Sequence, residues 1–397
     1  MTASSSGSMA EKPGTAKNRI KSFSGELWSA AQRKGCVIHE ISYRACFKPQ
    51  VPKFFIDRCS KPGDIVYDPF MGRGTSVIEA ILSGRKAIGN DVNPLSRMLA
   101  EPRLDIPTFE SVGERLESID FTKVRKANID LSMFYHPRTL RELLALRKYL
   151  ADRDKANEED KIDRWIRMIA TNRLTGHSPG FFSVYTLPPN QAASQEDQLR
   201  INRIRKQKPE YRNIPELILR KTKRILSALE DDQREMLSDA LDQVMLLTGD
   251  ARSTPEIMSN TVQLTVTSPP FLDIVDYAKD NWLRCWFNEI SLAAVERNLT
   301  KTKTIDEWTG VMQNVFDELY RITKPDGYVA FEVGEVRKNT IKLDDVILPV
   351  GESAGFVPVN VFINVQRFTK TAHIWGIRNN TNGTNTNRIV LFQKKRR

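Results

Sequence analysis

Four short stretches bring together residue types that can hold a small cofactor and act on an amine. In Asp68-Pro69-Phe70-Met71-Gly72-Arg73-Gly74-Thr75, two glycines bracket an arginine directly after an apolar run. Gly72 and Gly74 carry no Cβ and can take positive φ, so the backbone there can approach a ligand closely. Asp91, with Asn93 two residues on, follows a second apolar run. Its carboxylate can accept from the vicinal hydroxyls of a ribose. Asp250, followed by Ala251, closes a third run and could accept from an exocyclic amine. The remaining stretch is Ser268-Pro269-Pro270-Phe271. Successive prolines donate no hydrogen bond and restrict the backbone, so the Pro269 carbonyl can be held toward an incoming amine. Ser268 Oγ can add a second contact, and Phe271 presents a face on which a base can stack.

These stretches must sit at strand ends to converge. Residues 64–70 read as a strand, 71–75 as a turn, 76–83 as a helix with apolar residues at 77, 78, 81 and 82, and 86–91 as a second strand. Strand, turn, helix and strand make one βαβ unit, which implies a parallel sheet with its binding crevice at the carboxyl strand ends. Further strands are expected at 243–248, 262–266, 327–333, 359–365 and 388–392, with a hairpin turn at 379–387. Between them, 108–240 is almost free of strand signals and carries charged amphipathic stretches such as 138–150 and 163–173, which implies a helical insertion. The expected organisation is a disordered leader at 1–25 with little to bury, a catalytic domain formed by 26–107 with 241–397, and the helical insertion at 108–240.

Composition narrows the function classes. The 397 residues carry 60 Lys+Arg against 49 Asp+Glu, a net charge of +11, which favours a polyanionic partner. Ten basic and four acidic residues fall within 196–224. Arg200, Arg203, Arg205, Lys206, Lys208 and Arg212 of this cluster are candidates to neutralise phosphates of double-stranded DNA. Just upstream, 175–185 mixes glycine, aromatics and small polar groups. It is either a loop that reads bases or aromatics buried under a loop. In 276–287, Trp282, Leu283, Trp286 and Phe287 have core spacing, while Tyr277 and Lys279 are candidates to line a base pocket. Val77 stands where a dinucleotide fingerprint needs its third glycine, and the phosphate-binding Gly-x-x-x-x-Gly-Lys motif is absent. Cys36, Cys46, Cys59 and Cys285 lack zinc spacing and read as reduced thiols, and His39, His136, His177 and His373 are scattered, so no metal site is expected. With no apolar run near 20 residues, the expectation is a soluble cytoplasmic protein, at the nucleoid if DNA is its partner.

The Phe70-x-Gly72-x-Gly74 turn paired with Ser268-Pro269-Pro270-Phe271 resembles the amino-group DNA methyltransferases. Their signatures are a Phe-x-Gly-x-Gly cofactor turn and a Ser/Asp/Asn-Pro-Pro-aromatic tetrapeptide. The resemblance takes in 89–94 and 249–252, and 43–52, which looks like the family segment that closes over the methionine end of S-adenosylmethionine. It implies a Rossmann-like α/β methyltransferase fold, a mostly parallel seven-stranded sheet with a late antiparallel hairpin. It also implies S-adenosylmethionine as cofactor, held by Tyr43, Phe47, Asp68, Pro69, Phe70, Gly72, Gly74, Thr75, Asp91, Asn93, Asp250 and Ala251. Catalysis would fall to Ser268, Pro269, Pro270 and Phe271, acting on a flipped base. Ser at the first tetrapeptide position goes mostly with cytosine N4, so the implied product is N4-methylcytosine. Adenine N6 or an RNA base is the alternative, and a non-catalytic DNA-binding regulator on the same scaffold is a further one. A restriction-modification system would add a separate cognate endonuclease. Cytosine C5 chemistry needs a cysteine nucleophile, usually after proline, and these cysteines follow Gly35, Ala45, Arg58 and Arg284.

Overall fold

The computed structural model describes residues 10–12, 20–25, 35–43, 48–123, 127–188, 191–270, 277–298, 302, 304–336, 341–365 and 386–396. Strands β1 (Ala10–Lys12) and β2 (Lys21–Gly25) precede α1 (Gln50–Cys59), β3 (Ile65–Asp68), α2 (Thr75–Leu82), β4 (Lys86–Asn90) and α3 (Pro94–Ala100). Helices α4 (Phe109–Ser118), α5 (Pro137–Lys155), α6 (Lys161–Arg173), α7 (Gln195–Arg205), α8 (Ile214–Leu226) and α9 (Asp231–Ser238) come next. The chain returns to the sheet with β5 (Val244–Leu247) and β6 (Val262–Thr267), then α10 (Tyr277–Asp280), α11 (Trp282–Phe287), α12 (Leu292–Asn298) and α13 (Ile305–Ile322). It ends with β7 (Thr323–Val333), the short β8 (Glu335–Val336) and β9 (Ile341–Lys342), α14 (Leu343–Ser353), β10 (Val357–Val365) and β11 (Thr386–Gln393).

The sheet order is β1-β2-β10-β11-β7-β6-β3-β4-β5. Strands β5, β4, β3, β6 and β7 run parallel, and β11 enters antiparallel between β7 and β10. These seven strands are the expected sheet and hairpin; of the expected turn at 379–387, positions 379–385 lie outside the described residues and Thr386 and Asn387 already belong to β11. The leader expected over 1–25 is corrected at its end. Lys21–Gly25 pairs parallel with β10, and Ala10–Lys12 pairs antiparallel with β2. One apolar side chain suffices, because the open edge of β10 supplies the ladder and Phe23 stacks on Phe362 at 5.8 Å.

Alternation along the strands divides two cores. Val66, Ala87, Leu264, Val266, Ala330, Ile389 and Leu391 face α1, α2 and α3, and that core runs on without a break into α4, α5, α6 and α8. Tyr67, Ile88, Val329, Phe331, Val390 and Phe392 face α13 and α14 on the other side. The insertion thus packs on the helical layer that carries the cofactor turn. Its own helix starts are well specified. Asp160 caps α6 with a capping box, and buried Asp163 takes Arg115 and Arg153 at 2.6 and 2.9 Å. Among the described residues no helix is long and apolar enough to cross a membrane.

Phe316 of α13 is fully buried, with ring centroids 4.9 Å from Phe331 and 5.3 Å from Phe392. Phe316→Ala is expected to cost about 3–5 kcal/mol in equilibrium denaturation.

Candidate active site

The centre of the site is the end of β3, which lies between β4 and β6. Asp68 is 2 % exposed there. Its Oδ1 accepts from Thr267 Oγ1 at 2.6 Å and from the Phe70 N–H at 3.1 Å, and its Oδ2 accepts from Ser76 Oγ at 2.7 Å. Burial pushes its pKa up to about 6, against the pull of these three donors. One carboxyl therefore joins the glycine turn, the first turn of α2 and the last residue before the tetrapeptide.

The turn itself is set by close approach. Gly72 and Gly74 have φ of +50° and +75°, and a Cβ on Gly74 would stand 2.7 Å from that of Ala100. Asp91, one residue past β4, fixes the turn from the other side. Its Oδ2 accepts from Gly72 N–H at 3.0 Å and its Oδ1 from Asn93 N–H at 2.9 Å. Burial raises its pKa while those backbone donors oppose the shift. Each carboxylate oxygen retains acceptor capacity beyond these bonds. Asn93 caps α3 by accepting from Leu95 N–H at 3.1 Å, with Pro94 in the first turn. Tyr43 lies over the turn, its ring 3.4 Å from where a Gly72 Cβ would be. Pro69 is buried and Phe70 half-buried, and Thr75 begins α2.

Two arginines that sequence reasoning missed staple this turn to the preceding segment. Arg73 donates from Nη1 to the carbonyls of His39 and Ile41 at 2.9 and 2.8 Å. Arg103, fully buried, donates to the carbonyls of Leu99 and Ile38 and to that of Arg73. His39 is buried against Glu79 at 2.6 Å, and burial lowers its pKa despite that partner. The position of Arg73 between two glycines was a usable signal; Arg103 offers none, since an isolated arginine on a helix end usually faces solvent.

At β5, Ala251 is buried and Asp250 is bound by Arg252 through side chain and backbone. Arg252 holds the Asp250 carboxyl below the usual range. Any amine that Asp250 accepts from must share it with that guanidinium. At β6, Ser268 is half-buried and Pro269 buried. Pro270 is pinned from the far side of the sheet, where Trp308 Nε1 of α13 donates to its carbonyl at 3.1 Å. Thr267 and Trp308 thus fasten the two ends of the Ser-Pro-Pro run. Phe47 and Phe271 lie outside the described residues. Tyr277 opens α10 and Lys279 is exposed on it; Leu283 and Phe287 of α11 are buried, as their spacing requires.

The basic cluster divides by its partners. Lys221 of α8 is buried and pairs with Glu40 at 3.0 Å, and Arg224 pairs with the same carboxylate at 2.8 Å. Arg212 pairs with Glu210, and its backbone is bonded to Thr139 Oγ1. Arg200 pairs with Asp197 on α7. Arg203, Arg205, Lys206 and Lys208 are exposed and form no ion pair among the described residues.

A parallel sheet of this order, with a glycine turn after its first central strand and acids after the next two, defines a Rossmann-like methyltransferase. The model of the DNA methylase family that unites N6 and N4 enzymes matches residues 8–100 and 262–397, more than half of the chain, and the chain belongs to that family. The unmatched stretch between contains the inserted helices. The chain is 21 % identical to the type II methyltransferase M.BsoBI of Geobacillus stearothermophilus, over 87 % of this chain and 84 % of the relative. It is 29 % identical to the type II methyltransferase M.MjaII of Methanocaldococcus jannaschii, over 30 % of this chain and 19 % of the relative. The DNA adenine methyltransferase YhdJ of Escherichia coli is 36 % identical over 23 % of this chain and 31 % of its own length. A TehB-like methyltransferase structure from Corynebacterium glutamicum covers 87 % of each chain at 9 % identity and a TM-score of 0.33. The methyl donor of the family is S-adenosylmethionine. The Gly72 backbone, held at positive φ beneath Tyr43, and the Asp91 carboxylate suit that group.

Because the folded-state pKa of Asp68 lies above its ordinary 3.8, at about 6, the protonated fold is favoured. Its stabilising contribution is complete below 3.8 and is lost as pH rises through 6. Relative to Asp68→Asn, which cannot titrate, the wild type should lose on the order of 2 kcal/mol across that window in urea denaturation.

Proposed function

We propose that this chain transfers a methyl group from S-adenosylmethionine to the exocyclic N4 of cytosine in double-stranded DNA, after the base is flipped from the helix. The observation that carries the reading is the bond network of Asp68, which joins the glycine turn and the Ser268-Pro269-Pro270 run within one hydrogen-bonded unit. The turn with Tyr43 and Asp91 would hold the cofactor, which brings an electrophilic methyl group on a sulfonium. The residues of the chain supply the rest. A cytosine amino nitrogen has its lone pair delocalised into the ring. Acceptors aimed at its N–H groups draw it toward sp³ character, and the Pro269 carbonyl and Ser268 Oγ are those acceptors. Phe271 stacks on the extruded base. The amine would then attack the methyl carbon in line as the carbon–sulfur bond breaks and its electron pair goes to sulfur, the surplus N–H proton leaving to solvent; proximity and orientation would supply most of the acceleration, and no covalent bond to the protein is needed.

Ser268 as the leading residue supports cytosine. The adenine reading uses the same acceptors and is the one favoured by the likeness to YhdJ. The activity is assigned to the cytoplasm, where bacterial DNA is accessible, with any restriction endonuclease acting as a separate protein.

Nucleoside mass spectrometry of plasmid DNA from expressing cells is expected to show N4-methylcytosine; N6-methyladenine alone would refute the N4 assignment. Ser268→Ala should lower the methylation rate about 10- to 100-fold, the effect of one hydrogen bond that strengthens with developing charge.

A further inference from the structure

Between α6 and α7 the chain forms a loop in which buried aromatics and an exposed polar tip are separate residues. Phe181 and Phe182 are buried beneath it, whereas His177, Ser178 and Pro179 form an exposed tip. The base of the loop is rigidly held. Gly176 and Tyr185 form a parallel bridge, Thr186 N–H donates to the Gly176 carbonyl at 3.1 Å, and Phe182 N–H donates to the Arg173 carbonyl at 2.8 Å. A Cβ at Gly176 would stand 2.4 Å from Phe181, so that ring seats against bare backbone.

The His177 ring lies 6.4 Å from both Phe181 and Tyr185, and each of those rings carries a guanidinium on its face. Arg173 stands 4.6 Å over Phe181 and Arg205 stands 3.7 Å over Tyr185. Neither arginine forms an ion pair among the described residues. Burial, and then the positive charge of Arg224 and Arg220, lower the pKa of Arg173 to about 10, with Glu40 opposing. Arg173 and Arg205 thus flank the tip through the two rings that His177 neighbours.

The loop rises from the rim of the candidate site. Asn172, the residue before Arg173, accepts from Ser42 N–H at 3.1 Å, and Arg284 of α11 donates to the Ser42 carbonyl at 2.9 Å. Ser42 adjoins Tyr43, which covers Gly72. On the other side, Ala192 N–H donates to the Asp280 carbonyl and Trp282 Nε1 to that of Ala193, so α7 starts beside the helices that follow the tetrapeptide.

We propose that the tip His177-Ser178-Pro179 enters a groove of the duplex and reads base edges there, while Arg173 and Arg205 hold phosphates on either side. The proposal rests on the DNA methyltransferase reading above, and it fits a duplex because a projecting polar tip between two unpaired cations matches a groove between two anionic strands.

The test compares the full-length wild type with His177→Ala/Ser178→Ala, Arg205→Ala and Arg173→Ala. Methylated sites are mapped by long-read sequencing of a random-sequence plasmid library, and duplex affinity is titrated against salt. The tip variant is expected to keep the salt slope and S-adenosylmethionine affinity and to raise methylation of near-cognate relative to cognate sites about 10-fold or more. Arg205→Ala and Arg173→Ala are expected to weaken binding to every duplex and to lower the salt slope by about one each. An unchanged site spectrum in the tip variant overturns the proposal, as does a tip variant that weakens all sequences equally with a reduced slope. A wild type that methylates no DNA refutes the enzymatic reading instead. The salt slopes still test the surface in that case, and unchanged slopes in both arginine variants overturn it.

Discussion

Asp68 must satisfy three donors from three separate elements with one buried carboxyl, and the arrangement of the candidate site follows from that requirement. Thr267 Oγ1, Ser76 Oγ and the Phe70 N–H can all reach it only if β3 and β6 are neighbours and α2 starts directly above them. The register of the parallel pair therefore sets where the Ser-Pro-Pro run begins. An unmet donor in so buried a place costs more than a made bond gains, so the network specifies geometry more than it adds stability. Asp68, expected to help hold the cofactor, also ties the turn above it to the strand end beside it.

Around that point the structure doubles its fastenings. Asp91 and Tyr43 bracket Gly72, and Arg73 and Arg103 tie the same turn to the carbonyls of 38–41. Trp308 reaches from the opposite helical layer to Pro270. The inserted helices join the network through Asn172 and Ser42 and through Glu40 with Lys221 and Arg224. The segment over the cofactor turn is thereby shared between the sheet and the insertion.

Much of this was legible in the sequence because it depends on local signals. The glycine turn, the strand alternation at 64–70 and 86–91 and the double proline each have a mechanism that operates within a few residues. What escaped depends on long-range placement. Nothing near Trp308 marks it as a partner of Pro270, 38 residues away. Lys221 and Arg224 count among the ten basic residues of 196–224, and their partner Glu40, 181 residues before Lys221, is invisible to any local window. The edge strand Lys21–Gly25 was read as leader because its stability comes from the exposed ladder of β10 and not from its own composition. At 175–185 the sequence left burial of the aromatics open, and Phe181 and Phe182 are buried while His177 is exposed, a division that mixed glycine and aromatic composition does not mark.

The account stands on the claim that Asp68 and Thr267 couple cofactor binding to the catalytic strand. A double-mutant cycle of Asp68→Asn and Thr267→Val, read both as S-adenosylmethionine affinity and as single-turnover methyl transfer, measures that coupling directly. The account predicts that Thr267→Val alone weakens cofactor binding, and that the double variant departs from additivity by about 1 kcal/mol or more in both readouts. Additive effects, together with cofactor affinity untouched by Thr267→Val, would contradict it.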